Sequence, residues 1–195
     1  MPRYFRYVNF FILFMILLIH AHPYPSRSRA GAALLNAVSD LPELKVHSLY
    51  QRYPDFNIDV AAEQRAAIEA NLVVWLTPLF WYSVPALMKH WIDCVLADGF
   101  AYSELSTGDG RQLCAKRCLW AVTTGGQEYA YHAEGKHEQP FANFAAPLAQ
   151  TAQFCGMEWL PPHVLHNAHD LSDADLAAAG QHFRAVLLAA QAKCV

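Results

Sequence analysis

The stretch Asn71–Leu96, NLVVWLTPLFWYSVPALMKHWIDCVL, is where the fold can be read first. It opens on an unbroken apolar run, Leu72–Leu76, too short for a helix of its own and partly β-branched. That pattern predicts a strand buried on both faces, as in a parallel sheet. It closes on Val84, Leu87, Met88, Trp91, Ile92, Val95 and Leu96, which fall on one face of a helix. Between the two lies Thr77-Pro78-Leu79-Phe80-Trp81-Tyr82-Ser83, a strand-to-helix loop with three consecutive aromatics. In open α/β sheets ligands bind at the carboxyl ends of the strands, where this loop falls. Pro78 lacks an N–H and Pro85 suits a first helical turn, so the loop is stiff. It would hold a flat, largely apolar ring with polar edges. The same three aromatics would equally serve to plug the end of a core.

Working outward, Met15–Ala21 (MILLIHA) reads as a first buried strand. It leads into His22-Pro23-Tyr24-Pro25-Ser26-Arg27-Ser28-Arg29-Ala30 and a helix over Arg29–Val38. Ser26 and Ser28 are both suited to cap that helix. Free N–H groups, the positive end of the helix dipole, a hydroxyl and arginines make such a turn a phosphate cradle. A plainly capped helix with solvated arginines would use the same residues. Neither G-x-G-x-x-G nor a glycine-lysine P-loop is present. A second strand is expected at Lys45–Leu49, and an aromatic connection follows over Tyr50–Asp59. Asp59 caps a helix from Val60 to Ala70 that carries Gln64. The fourth strand, Arg117–Thr123, ends in Thr124-Gly125-Gly126, which offers hydroxyls and bare backbone at the same sheet edge. Gly99–Ala115 is expected as a loop or short hairpin near that edge, with a turn at Gly108, Asp109 and Gly110. Gln127–Pro140 is a long polar loop. The last elements are a helix over Phe141–Phe154, a fifth strand from Met157, a break at Pro161-Pro162 and a closing helix over Ser172–Gln191.

Five strands alternating with helices predict a flavodoxin-like α/β fold. It would be a doubly wound, five-stranded parallel sheet of order 2-1-3-4-5 with helices on both faces. In that order the ends of strands one, three and four meet at the switch point. A phosphate cradle, an aromatic wall and the Thr-Thr-Gly-Gly turn then converge on an FMN site.

Composition bounds the function classes. With 195 residues, 54% hydrophobic and 16% charged, and a formal net charge of −3, the chain forms one domain and offers no basic surface for nucleic acid. Five cysteines without a C-x-x-C argue against a disulfide framework or a zinc site. His132 and His137 match no metal-ligand spacing, so no metal is expected. Arg3 and Arg6 precede an apolar run, Phe10–Ile19, of only ten residues. That is short of the roughly 20 needed to span a bilayer. A signal peptide is one reading. The other takes residues 1–14 as an N-terminal extension, Met15 as an alternative start and 15–195 as the domain. A secreted or tethered form using residues 1–19 follows from the first.

AHPYPSRSRA (21–30), SLYQRYPDFNIDVAAEQ (48–64), WLTPLFWYSVPALMKHWIDCVL (75–96), WAVTTGG (120–126) and CGMEWLPPHVLH (155–166) carry a resemblance over about residues 15–190. The chain resembles the NAD(P)H:quinone oxidoreductases of the flavodoxin-like flavoproteins. Within that family it is most similar to the ancillary subunits of bacterial glutathione-gated potassium-efflux systems. The resemblance implies that His22, Ser28, Arg29, Ala30 and Gly31 hold the phosphate and ribityl chain of FMN, with Gln64 near the cofactor. It implies that Leu79, Phe80, Trp81 and Tyr82 line the isoalloxazine, and that Thr123, Thr124, Gly125 and Gly126 bond its polar edge. Tyr131 and His137 stand at the spacing of the tyrosine and histidine that assist hydride transfer in these reductases. NADH or NADPH as hydride donor, a quinone-type acceptor and a cytoplasmic homodimer are further implications. A potassium-efflux antiporter as partner on the cytoplasmic face of the inner membrane is another, as is a regulatory rather than catalytic role. Two departures stand out: Phe80 replaces a commonly polar glutamine, and Gly99–Ala115 is longer than in the efflux ancillary proteins.

Overall fold

The computed structural model describes residues 14–103 and 110–192. Residues 1–13, most of the expected extension, lie outside them, as do Gly108 and Asp109 of the expected turn. The strands are β1 (Ile16–His20), β2 (Leu44–Ser48), β3 (Leu72–Pro78), β4 (Arg117–Thr123), β5 (Glu158–Trp159) and β6 (His163–Leu165). The helices are α1 (Arg29–Val38), α2 (Leu49–Arg52), α3 (Val60–Glu69), α4 (Ala86–Val95), α5 (Phe141–Phe154) and α6 (Asp173–Ala192). All pairings are parallel and the order is β2-β1-β3-β4-β5, the flavodoxin-like order, with β6 also on β4.

Every residue of β1, β3 and β4 is buried, as continuous apolar runs require when both faces are covered. Alternation along each strand divides the core. Ile16, Leu18, Leu72, Val74, Leu76 and Leu119 face α1 and α6, where Leu34, Phe183 and Leu187 pack. Leu17, Ile19, Val73, Trp75, Cys118 and Trp120 face the other layer, with Ala67 of α3, Leu87 and Trp91 of α4, and Leu148 of α5.

The break expected at Pro161-Pro162 divides the fifth strand in two, and one other expectation is corrected. β5 pairs with Arg117 and Cys118, and β6 resumes opposite Ala121–Thr123. Pro161 and Pro162 stand between them, and residues without an N–H cannot continue a ladder. The described part of the loop between α4 and β4, residues 96–103 and 110–116, does not lie near the active edge. The Ala115 N–H donates to the Gly156 carbonyl, and Lys116 Nζ donates to the carbonyls of Ile68 and Ala70 at the end of α3. These contacts put it at the amino edge of the sheet, because α4 runs antiparallel to β3 and returns the chain there. The described part of the Gly99–Ala115 connection is thus on the side of the sheet away from the predicted site.

Candidate functional site

Three turns meet at the carboxyl edge. After β1, His22 is followed by a single 3-10 turn, Pro25–Arg27, that absorbs Ser26 and leaves Ser28 as the cap of α1. Ser28 Oγ accepts from the Gly31 N–H at 3.2 Å. A Cβ on Gly31 would lie 2.5 Å from that oxygen, so only glycine leaves the cap in place. After β3, Phe80 and Ser83 exchange both backbone hydrogen bonds and form a minimal hairpin. Its two tip residues, Trp81 (φ 47°) and Tyr82 (φ 65°), are both left-handed. This is the geometry of a type I′ turn, which favours asparagine and glycine. Trp81 is 93% exposed, so burial of its own ring does not offset the strain. After β4 comes the Thr124–Gly126 turn.

These turns enclose a cavity of about 420 Å³. Arg27, Ser28, Arg29 and Ala30 line it from the α1 side, Leu79 and Phe80 from the aromatic loop, and Thr123, Thr124 and Gly125 from β4. His22 and His169 complete it, and the described residues lining it include no carboxylate. The Tyr24 N–H donates to His22 Nδ1 at 3.0 Å, which leaves the proton of the neutral ring on Nε2 as a donor. Burial lowers the His22 pKa, and His169 adds to that. Beneath the floor His20 is 6% exposed, and burial, with a smaller contribution from His22, lowers its pKa to about 4. A second cavity of about 360 Å³ adjoins the first through Leu79 and Gly125. Trp81, Tyr82, Gly126, Tyr131, Lys136 and His137 line it.

The structure thus brings His22, Ser28, Arg29, Ala30, Leu79, Phe80, Thr123, Thr124 and Gly125 around one cavity and Trp81, Tyr82 and Gly126 around its neighbour. Tyr131 and His137 come together in the second, ring centroids 4.7 Å apart. The long polar loop is not featureless: it makes a 3-10 turn, Glu128–Tyr131, that buries Tyr131. Two expected residues are placed elsewhere. Gly31 lies under the floor, its N–H already given to Ser28. Gln64 lines neither cavity; its Nε2 donates to the Val95 carbonyl at the end of α4, toward the amino edge. Arg27, the other arginine of that turn, lines the cavity beside Arg29, and Tyr24, Lys136 and His169 join the lining without having been singled out from sequence. His169 had one signal: it follows the short segment His163-Val164-Leu165 after the proline break, and residues just past a strand's carboxyl end reach the site.

The residues fit FMN. A ten-residue helix begins with its N-terminus, a serine, two arginines and a histidine donor around one end of the space, the chemistry of a phosphate site. Glycines line the junction with the second cavity: Gly125 borders both, and in the second a Cβ at Gly126 would stand 3.3 Å from the Tyr131 ring.

The flavodoxin-like fold family matches residues 15–187. The glutathione-regulated potassium-efflux system ancillary protein KefF of Enterobacter sp. (strain 638) is 47% identical over 174 residues, 89% of this chain and 96% of that protein. The general stress protein 14 of Treponema denticola, solved in complex with FMN, superposes with a TM-score of 0.83 at 32% identity, covering 90% of this chain and 98% of that one. An NADPH-quinone reductase from P. pentosaceus superposes at 0.74 with 26% identity, covering 86% and 96%. The chain therefore belongs to the flavodoxin-like fold family and, within it, to the family of the glutathione-regulated potassium-efflux ancillary proteins.

Proposed function

We propose that the protein is an FMN-dependent NAD(P)H oxidoreductase that reduces quinones or similar electrophiles by two-electron hydride transfer. The observation that carries this reading is the juxtaposition of a cationic cradle, with no carboxylate among its described lining residues, and the pair of buried Tyr131 and half-buried His137 across one continuous edge of the sheet. FMN, when bound, supplies the hydride chemistry between nicotinamide and acceptor. The α1 N-terminus, Ser28, Arg29 and the His22 Nε2–H would hold its phosphate. The bare backbone at Gly125 and Gly126 would bond its polar edge, and Trp81 and Tyr82 would cover the ring. Tyr131 and His137 would donate hydrogen bonds to the oxygen on which negative charge develops, a role in which fixed donors count most when water is excluded.

The relative's description as an ancillary protein supports a second role in the same molecule, as the cytoplasmic subunit of a potassium-efflux antiporter. A purely regulatory flavoprotein is the alternative. Among the described residues no helix is long and apolar enough to cross a membrane, so contact with the inner membrane would run through the antiporter. We further propose a homodimer, which light scattering of the purified protein checks.

The test is an anaerobic absorption spectrum. A flavin band that bleaches with NADPH and returns with a quinone is expected. Replacing Tyr131 by Phe and His137 by Gln together should lower turnover roughly 100-fold with flavin still bound. Unchanged turnover in the double variant removes the pair from the mechanism. A flavin that does not respond to NADH or NADPH leaves the regulatory reading.

A further inference from the structure

The segment after β6 is tied to the Thr124–Gly126 turn at every step. Parallel pairing of Thr123 with Leu165 brings His166 out beside Thr124. The Thr124 N–H donates to the Leu165 carbonyl, the Asn167 N–H to the Gly126 carbonyl and the Ala168 N–H to the Thr124 carbonyl, each at 2.9 Å. Asn167 takes a left-handed φ of 56° to do so. One further bond joins side chains. Thr124 Oγ1 lies 2.9 Å from His166 Nδ1 and 2.9 Å from the Gly126 carbonyl. A carbonyl can only accept, so the hydroxyl proton goes to Gly126 and the oxygen must accept from His166 Nδ1–H. The tautomer follows from this geometry: the proton of the neutral ring is on Nδ1 and Nε2 keeps its lone pair. Burial lowers the His166 pKa, with Glu128 opposing and His132 assisting, which favours that neutral form.

The other face of this imidazole meets the proposed catalytic tyrosine. Tyr131 has His137 at 4.7 Å and His166 at 5.3 Å, with Phe141 and Phe144 edge-on at 5.9 and 5.8 Å. It is 6% exposed, so these rings set where its hydroxyl stands.

We propose that His166 is a positioning residue, whose Nδ1–H bond to Thr124 locks the face of Tyr131 to the turn that would hold the cofactor's polar edge. It touches neither proposed substrate nor cofactor and acts through its two neighbours. The inference rests on the functional reading above for its effect on rate, though the hydrogen bond and the tautomer do not.

Two substitutions separate hydrogen bonding from packing. His166→Phe keeps a ring against Tyr131 and loses the donor; His166→Asn keeps a donor near the Nδ1 position and loses the ring. H166F should lower kcat tenfold or more, because small misplacements of a reacting group are costly, with the KM for NAD(P)H little changed. H166N should stay within about threefold of the parent, since the bond that fixes the geometry is kept. Thr124→Val deletes the same bond from its other end, should match H166F, and serves if H166F does not fold. The reverse order, equal losses in H166F and H166N, or full activity in H166F would overturn the proposal. If the native protein proves to have no turnover, the functional reading fails and the brace is judged alone. Imidazole nitrogen resonances should then show His166 protonated at Nδ1, and the Asn167 and Ala168 amides, which donate across the brace, should lose exchange protection in H166F but keep it in H166N. An Nε2–H tautomer or unchanged protection would overturn it.

Discussion

Around Glu63 and around the start of α1 the chain gathers imidazole, arginine and hydroxyl groups, but only the first cluster contains its own carboxylate. Glu63 on α3 is fully buried. Its oxygens accept from Tyr53 Oη at 2.7 Å and Trp91 Nε1 at 3.0 Å, and His47 Nδ1 lies 2.9 Å away. Arg52 Nε approaches to 3.4 Å. Burial alone would raise the Glu63 pKa, but the bonds from His47, Tyr53 and Trp91 outweigh it and hold the carboxyl below its usual range. At the cradle, His22, Arg27, Arg29 and His169 line a cavity with no acid among its described lining residues, and the one acid that reaches Arg29 is the exposed Asp173. A polar cluster that neutralises itself ties β2, α3 and α4 together; one that presents donors to a cavity has the chemistry an anion requires.

From that contrast the largest effect on stability is expected at Glu63. Glu63→Ala leaves the Tyr53 hydroxyl and the Trp91 N–H buried without their acceptor. It should cost about 3–5 kcal/mol in denaturant unfolding, and a loss below about 1 kcal/mol would mean the cluster is not structural. Acid should strike the molecule elsewhere. His20 and His163 are each lowered from 6.5 to about 4 by burial. The unfolded chain takes up these protons near pH 6.5 and the folded chain not until about pH 4. Their contribution, roughly 3 kcal/mol each at most, is therefore present above pH 6.5 and lost as pH falls toward 4. His20→Asn should flatten that slope; an unchanged slope would show that His20 does not carry it.

A smaller effect is expected from the cradle. His22→Ala should weaken FMN binding about tenfold or more through one lost hydrogen bond to a charged group. The melting temperature should barely move, which is the reverse of Glu63→Ala. Equal damage to folding from both substitutions would erase the distinction. The smallest effect is of opposite sign. Trp81→Gly relieves a left-handed residue and should stabilise the protein by about 1 kcal/mol, while turnover falls with the loss of the ring. A destabilised variant would mean that the exposed indole has a partner in solution, such as a second copy of the chain.

Much of this was legible from local pattern. The Arg29–Val38, Phe141–Phe154 and Arg117–Thr123 elements fall where periodicity and capping put them, because a helix stripe or a doubly buried strand is written within a few consecutive residues. Leu72–Leu76 was recognisable as a strand, although it runs on through Pro78. The cradle and the aromatic loop were legible for the same reason. His166 and His169 were not: they lie some forty residues beyond Thr123-Thr124-Gly125-Gly126 in a stretch, HNAHD (166–170), that reads as surface polar. Only the pairing of β6 with the end of β4 brings them to the site. Gln64 failed in the opposite way: its placement by family resemblance is met in this chain by a bond to Val95, where the packing of α3 on α4 turns it from the cavity.

Local sequence thus set the elements, the parallel sheet and the chemistry available at each strand end, because those depend on neighbours within one or two turns of chain. Tertiary structure alone settled which polar groups are satisfied and which face a cavity. That depends on partners brought from distant segments, as Trp91 is to Glu63 and His166 to Thr124, and a buried donor or acceptor finds its partner only when the packed layers place one within reach.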